Sequence, residues 1–198
     1  MSIELPRLFL VRHGDTAWSE QHKHTGRTDV PLNEHGEQLA RELGEQLRQF
    51  SFAGVFTSPL QRAARTCELA GFGHVASTDG DLVEWDYGQY EGLLTEEIVK
   101  QRPGWNLFRD GCPAGESPAD VAARADRFIR CVRALSGDVL AFSSGHIIRT
   151  IAARWLGLSA EQGRCFDCQP ASIGLLSFEH RKFDEPIIEL WNYEGRIL

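Results

Sequence analysis

No apolar run in this chain is long enough to span a bilayer, which argues against a helical membrane protein. Positive charge is also scarce: 21 Lys and Arg stand against 28 Asp and Glu, a formal net charge of −7. Broad binding to nucleic acid or to an anionic membrane surface requires a basic face, so neither partner is expected. A small anionic substrate is not excluded, because exposed charges are screened within ~8 Å at physiological salt and a few arginines in a cleft can dominate locally. The five cysteines are an odd count and fit reduced thiols better than a disulfide framework. Cys67, Cys112 and Cys131 read as ordinary helix or loop residues. The first residues, Met1 to Arg7, lack the basic-then-apolar pattern of a secretory leader. There is no internal repeat, low-complexity segment or linker. These absences leave a soluble, cytoplasmic globular protein forming one domain over 1–198. Its 42% hydrophobic and 25% charged residues are ordinary values, and its length buries most apolar surface without a staple.

The apolar run Leu8-Phe9-Leu10-Val11 reads as a buried strand that stops at Arg12-His13-Gly14. Open α/β sheets bind ligands at the carboxyl ends of their strands, so this triplet marks a site. Its residue types suit phosphate: a guanidinium fork, a glycine permitting close backbone approach, and an imidazole able to act as nucleophile or base near neutral pH. A histidine that merely ends a strand is the bland alternative. A polar loop is expected from Asp15 to Asn33, then a helix with Asn33 as N-cap and Leu39, Leu43 and Leu47 along one face. Val55-Phe56-Thr57 reads as a second strand. Ser58-Pro59 reads as a helix start that places Arg62 in the first turn, where free N–H groups favour anions, and Gly71 closes that helix. From Gly80 to Gly115 aromatic residues alternate with glycine, proline and acids, the pattern of a cap-like insertion at about 85–116. Ser117-Pro118 starts a helix whose apolar face is Ala122, Ala125, Phe128, Ile129 and Val132. Val139 to Phe142 is a further strand, and Ser143-Ser144-Gly145-His146 turns directly into a helix reaching Trp155 and Leu156. Ile173–Phe178 and Ile187–Trp191 read as two further strands separated by a polar turn, a hairpin whose two edge candidates leave a homodimer open. The expected fold is α/β, a three-layer α/β/α arrangement around a mostly parallel sheet.

Several spaced motifs resemble the histidine phosphatase superfamily, also called phosphoglycerate mutase-like. They are Arg12-His13-Gly14, Thr25-Gly26 with Pro31-Leu32, Ser58-Pro59-Leu60-Gln61-Arg62-Ala63, and Leu82-Val83-Glu84-Trp85-Asp86-Tyr87-Gly88 with Glu91-Gly92. Trp105 to Cys112 and Ala171-Ser172-Ile173-Gly174 are similar to the branch of broad-range acid and sugar-phosphate phosphatases that includes sedoheptulose-bisphosphatase. The resemblance implies in-line attack on phosphorus by a neutral His13, giving a phosphohistidine. It implies that Arg12 and Arg62 bind the phosphoryl oxygens, with Thr25, Gly26, Ser144 and Gly145 around the same group. It implies that Glu84 protonates the leaving alkoxide and then activates water, with a pKa raised by Trp85 and Tyr87. It requires no metal and no other cofactor, only a small phosphorylated substrate.

One position departs from the family pattern. Relatives commonly carry the second catalytic histidine where this chain has Ser144, and His146 follows two residues later. Either His146 turns onto the phosphate and replaces the missing ligand, or the serine leaves transition-state stabilisation weakened. Ser19 stands where many relatives have asparagine, which touches specificity alone. His22-Lys23-His24 reads as a loop over the substrate and not as a metal pair, and Cys165-Phe166-Asp167-Cys168 lacks a redox context. The rivals to a phosphatase are a phosphoglycerate mutase, which usually carries a longer insertion before the second histidine, and a phosphoester-binding protein that has lost catalysis.

Overall fold

The computed structural model describes residues 5–194. In chain order the elements are β1 (Leu8–Arg12), α1 (Ala17–Glu20), α2 (Glu34–Leu47), β2 (Phe52–Thr57), α3 (Gln61–Leu69), β3 (Ser77–Thr78), α4 (Thr95–Gln101), α5 (Leu107–Asp110), α6 (Pro118–Arg133), β4 (Asp138–Ser143), α7 (Gly145–Trp155), β5 (Ile173–Phe178) and β6 (Pro186–Tyr193). The strands form one sheet in the order β3-β2-β4-β1-β5-β6. Its first four strands are mutually parallel, while β5 runs antiparallel to both β1 and β6.

The all-apolar strands are buried on both faces, and their side chains divide by alternation. Leu8, Leu10, Val139 and Ala141 face a core that includes Phe128 and Ile129 of α6 and Ile147 and Ile151 of α7. Phe9, Val11, Leu140 and Phe142 face the opposite core, with Leu43 and Leu47 of α2 and Cys67 of α3. The sheet is thus covered by helices on both sides, as expected. Trp85, Tyr90, Trp105 and Phe108 from the 85–116 segment join the α6/α7 core.

Sequence and structure differ in four places. The Asp15–Asn33 stretch is not all loop: Thr16 and Ser19 cap each other reciprocally and start α1. The short edge strand β3 carries no periodic signal. Helix α3 does not begin at Ser58-Pro59. Ser58 instead prolongs β2, its N–H donating to the Phe142 carbonyl at 2.9 Å, and the first N–H of α3, on Gln61, is received by the Asp29 carboxylate at 2.8 Å. Arg62 still falls in the first turn. Of the two C-terminal strands only β6 is an edge, because β5 is paired on both sides.

Asn33 caps α2 as expected, accepting from the Gly36 N–H at 2.7 Å, and this brings the helix start against the turn after β1. A Cβ on Gly36 would meet the backbone of Asp15, and one on Gly14 would meet the carbonyl of Gly36. Both glycines are needed for this close approach. Alanine at Gly36 would gain at most ~1 kcal/mol of helix propensity, less than the strain of driving two backbones apart. Gly36→Ala is therefore expected to cost about 1–3 kcal/mol, read as a lower urea midpoint.

Candidate active site

The ladders of β1, β2 and β4 run on past the strand ends and set three turns side by side. His13 donates its N–H to the Ser143 carbonyl at 2.9 Å, and Ser58 donates to Phe142. The resulting cleft, about 270 Å³, is lined by Arg12, His13, Thr25, Glu84, Gly145 and His146 among the residues expected from sequence. Arg62, Gly26 and Ser144 do not line it, and Arg62 adjoins it through its bond to the Thr25 carbonyl.

His13 is 5% exposed, and its Nδ1 lies 2.7 Å from the Gly14 carbonyl. A carbonyl only accepts, so Nδ1 carries the proton and Nε2 keeps its lone pair. Burial, followed by the charges of Arg62 and Arg12, holds this imidazole well below its ordinary pKa. A neutral nitrogen nucleophile is the result. Arg12 donates from Nη1 to the Cys168 carbonyl, while its buried Nε has no protein partner.

Arg62 is fully buried, and its fork is turned toward backbone. Nη1 donates to the Thr28 carbonyl at 3.0 Å, and Nη2 to those of Thr25 and Gly26 at 3.1 and 2.8 Å. Its Nε donates to Ser144 Oγ at 3.3 Å. The Gly26 N–H donates to Glu91 Oε1 at 2.8 Å, so this peptide acts as a brace for Arg62.

Glu84 differs most from expectation. Its carboxylate sits at the start of α7, where Oε2 accepts the His146 N–H at 2.9 Å and Oε1 accepts the Ile147 N–H at 2.9 Å and the Trp85 N–H at 2.8 Å. Burial alone would raise its pKa, but the adjoining His146 and the backbone N–H groups that donate to it outweigh this and hold the carboxyl below its usual range. The expected rise from aromatic neighbours is therefore corrected: the resting group is a carboxylate at a helix N-terminus. It also explains why Ser144, at the N-cap of α7, makes no capping bond with its own side chain. Glu84 caps the helix from another part of the chain.

His146 does not occupy the position of Ser144. Its Nδ1 lies 2.6 Å from the Tyr87 hydroxyl and 3.7 Å from Glu84 Oε2, and its ring packs against Phe108, Tyr87 and His24. Burial lowers its pKa despite the nearby carboxylate. The His22-Lys23-His24 segment lines the cleft, and its backbone is joined to the 92–95 segment by His24 N–H to Leu93 O and Gly92 N–H to His24 O, at 2.9 and 2.8 Å. Burial, then the neighbouring His146, brings His24 down to about 4. Sequence reasoning gave no site role to Tyr87, Thr95, Arg149, Asp167 or Cys168, which also line the cleft. Arg149 carried a usable signal, since it stands one helical turn after His146.

A family model, histidine phosphatase superfamily (branch 1), matches residues 8–193. The chain belongs to this superfamily. It is accordingly a phosphoric monoester hydrolase. This histidine phosphatase is 42% identical over 184 residues to an acid phosphatase of Mycobacterium tuberculosis, covering 91% of this chain and 90% of that one. It is 32% identical over 252 residues to the sedoheptulose 1,7-bisphosphatase of Saccharomyces cerevisiae, covering 93% and 92%. Among solved structures, a mycobacterial glucosyl-3-phosphoglycerate phosphatase complexed with VO3 superposes with a TM-score of 0.82 at 29% identity, over 94% of this chain and 98% of that one.

Proposed function

We propose that this phosphatase hydrolyses small sugar phosphates in the cytoplasm through phospho-His13, without a metal ion. The observation that carries the reading is the neutral His13, with Nδ1 held by Gly14 and Nε2 left as the nucleophile. Relatives named for sugar bisphosphate and glycosyl phosphoglycerate substrates support the substrate class. Nε2 forms a bond to phosphorus as the P–O bond to the sugar breaks, and Glu84 delivers a proton to the departing alkoxide. Water then attacks phosphorus, gives its proton to Glu84, and releases inorganic phosphate as the N–P bond breaks. Arg12 holds phosphoryl oxygens, Thr25 and Gly145 line the cleft around them, and Arg62 adds positive charge while Gly26 and Ser144 hold it in place. His146 supplies a further donor.

Since Glu84 rests ionised, its proton arrives with the substrate. A phosphate monoester has its second pKa near ~6, and the monoanion carries the proton into the cleft. Turnover is expected to rise as pH falls below that value. The test is release of inorganic phosphate from p-nitrophenyl phosphate and a sugar-phosphate panel between pH 4 and 8, beside Ser144→His. Improvement by Ser144→His would show that the missing histidine limits the rate. No turnover on any ester would overturn the reading, and dependence on 2,3-bisphosphoglycerate would turn it into a mutase.

A further inference from the structure

We propose that Tyr87 is a positioning residue that fixes the His146 ring with its proton on Nε2, directed into the cleft, so that His146 donates to the phosphoryl group from beside Ser144. The inference rests on the reading of the cleft as a phosphatase site.

The Tyr87 phenol is 1% exposed, and its oxygen lies 2.6 Å from His146 Nδ1. Burial pushes the phenol far above its ordinary pKa, so the O–H is retained. A buried hydroxyl left without an acceptor is costly, and Nδ1 is the acceptor within reach. Nδ1 therefore has a lone pair facing Tyr87, and the ring proton sits on Nε2. Glu84 does not compete for Nδ1. Its Oε2 is 3.7 Å away, beyond hydrogen-bond length, and its oxygens are committed to the N–H groups of Trp85, His146 and Ile147.

The groups around the ring agree with an uncharged state. Glu84 favours the cation, while burial, Arg149 and Arg12 oppose it, and His24 stands on the remaining side. Backbone and ring are fixed separately: the His146 N–H is held by Glu84 and the imidazole by Tyr87 and Phe108. A donor immobilised in this way loses little on meeting the phosphoryl oxygens, the condition under which such contacts accelerate transfer. Ser144 does not line the cleft, and its hydroxyl accepts from Arg62 Nε.

The experiment is a nitrogen-15 NMR measurement of histidine tautomers in the resting protein at neutral pH, with the His146 signals identified by their loss in His146→Gln. The expected result is an unprotonated Nδ1 and a protonated Nε2 whose resonance moves when inorganic phosphate is added. Tyr87→Phe, which preserves the ring, should populate the opposite tautomer and lower kcat about tenfold, with a smaller change in KM. A protonated Nδ1 in the wild type, an Nε2 signal indifferent to phosphate, or a Tyr87→Phe variant with unaltered tautomer and kcat would each overturn the proposal. The tautomer is read without turnover, so failure of the phosphatase reading would show separately as a protein that hydrolyses no phosphomonoester.

Discussion

His13→Ala is expected to remove turnover of every phosphomonoester, by at least ~10⁴-fold, and to leave the fold in place. The size of the effect follows from the geometry. His13 keeps Nε2 unprotonated next to Arg12, whereas Nδ1 of His146 is engaged by Tyr87 and Nε2 of His24 by Thr95, so neither replaces it as acceptor of the phosphoryl. The fold should survive because the His13 side chain is hydrogen-bonded only to the carbonyl of its own neighbour, Gly14, while its backbone continues the sheet ladder through Ser143 and Ala171. Phosphate release and circular dichroism on the same preparation check both halves. A folded variant that retains activity would remove His13 as the nucleophile.

Glu84→Gln is expected to act selectively. An alkoxide leaving group is strongly basic and needs its proton in the transition state, whereas p-nitrophenolate departs without one. Sugar phosphates should therefore lose about 10²–10⁴-fold, and p-nitrophenyl phosphate far less. The substitution also has a structural cost, since the new amide nitrogen confronts either the His146 N–H or those of Trp85 and Ile147. An unsatisfied donor of this kind costs roughly 1–3 kcal/mol. Stability and leaving-group dependence separate the two consequences: equal losses on both substrate classes would reduce Glu84 to a cap for α7.

The sheet, its covering helices and the positions of Arg12 and His13 were legible in the sequence. Strand burial, helix faces and the Asn33 and Ser117 caps are local signals, repeated every two or four residues or within one turn. The start of α3 was misread for the same reason. Ser58-Pro59 carries a local cap signal, but pairing with β4 extends the strand through Ser58, and Asp29 supplies the cap from 32 positions away.

The sequence by itself determined that the turns carrying Arg12-His13, Arg62 and Ser144–His146 meet at the carboxyl ends of β1, β2 and β4, because all-apolar runs and turn chemistry place those ends. Only the tertiary structure decided their protonation and aim. Glu84 reads as an acid in an aromatic setting until α7 presents two free N–H groups to it, and His146 reads as an unattached imidazole until Tyr87, 59 residues earlier, reaches its Nδ1. Those states depend on desolvation and on hydrogen bonds between distant segments, and neither has a period or a spacing along the chain.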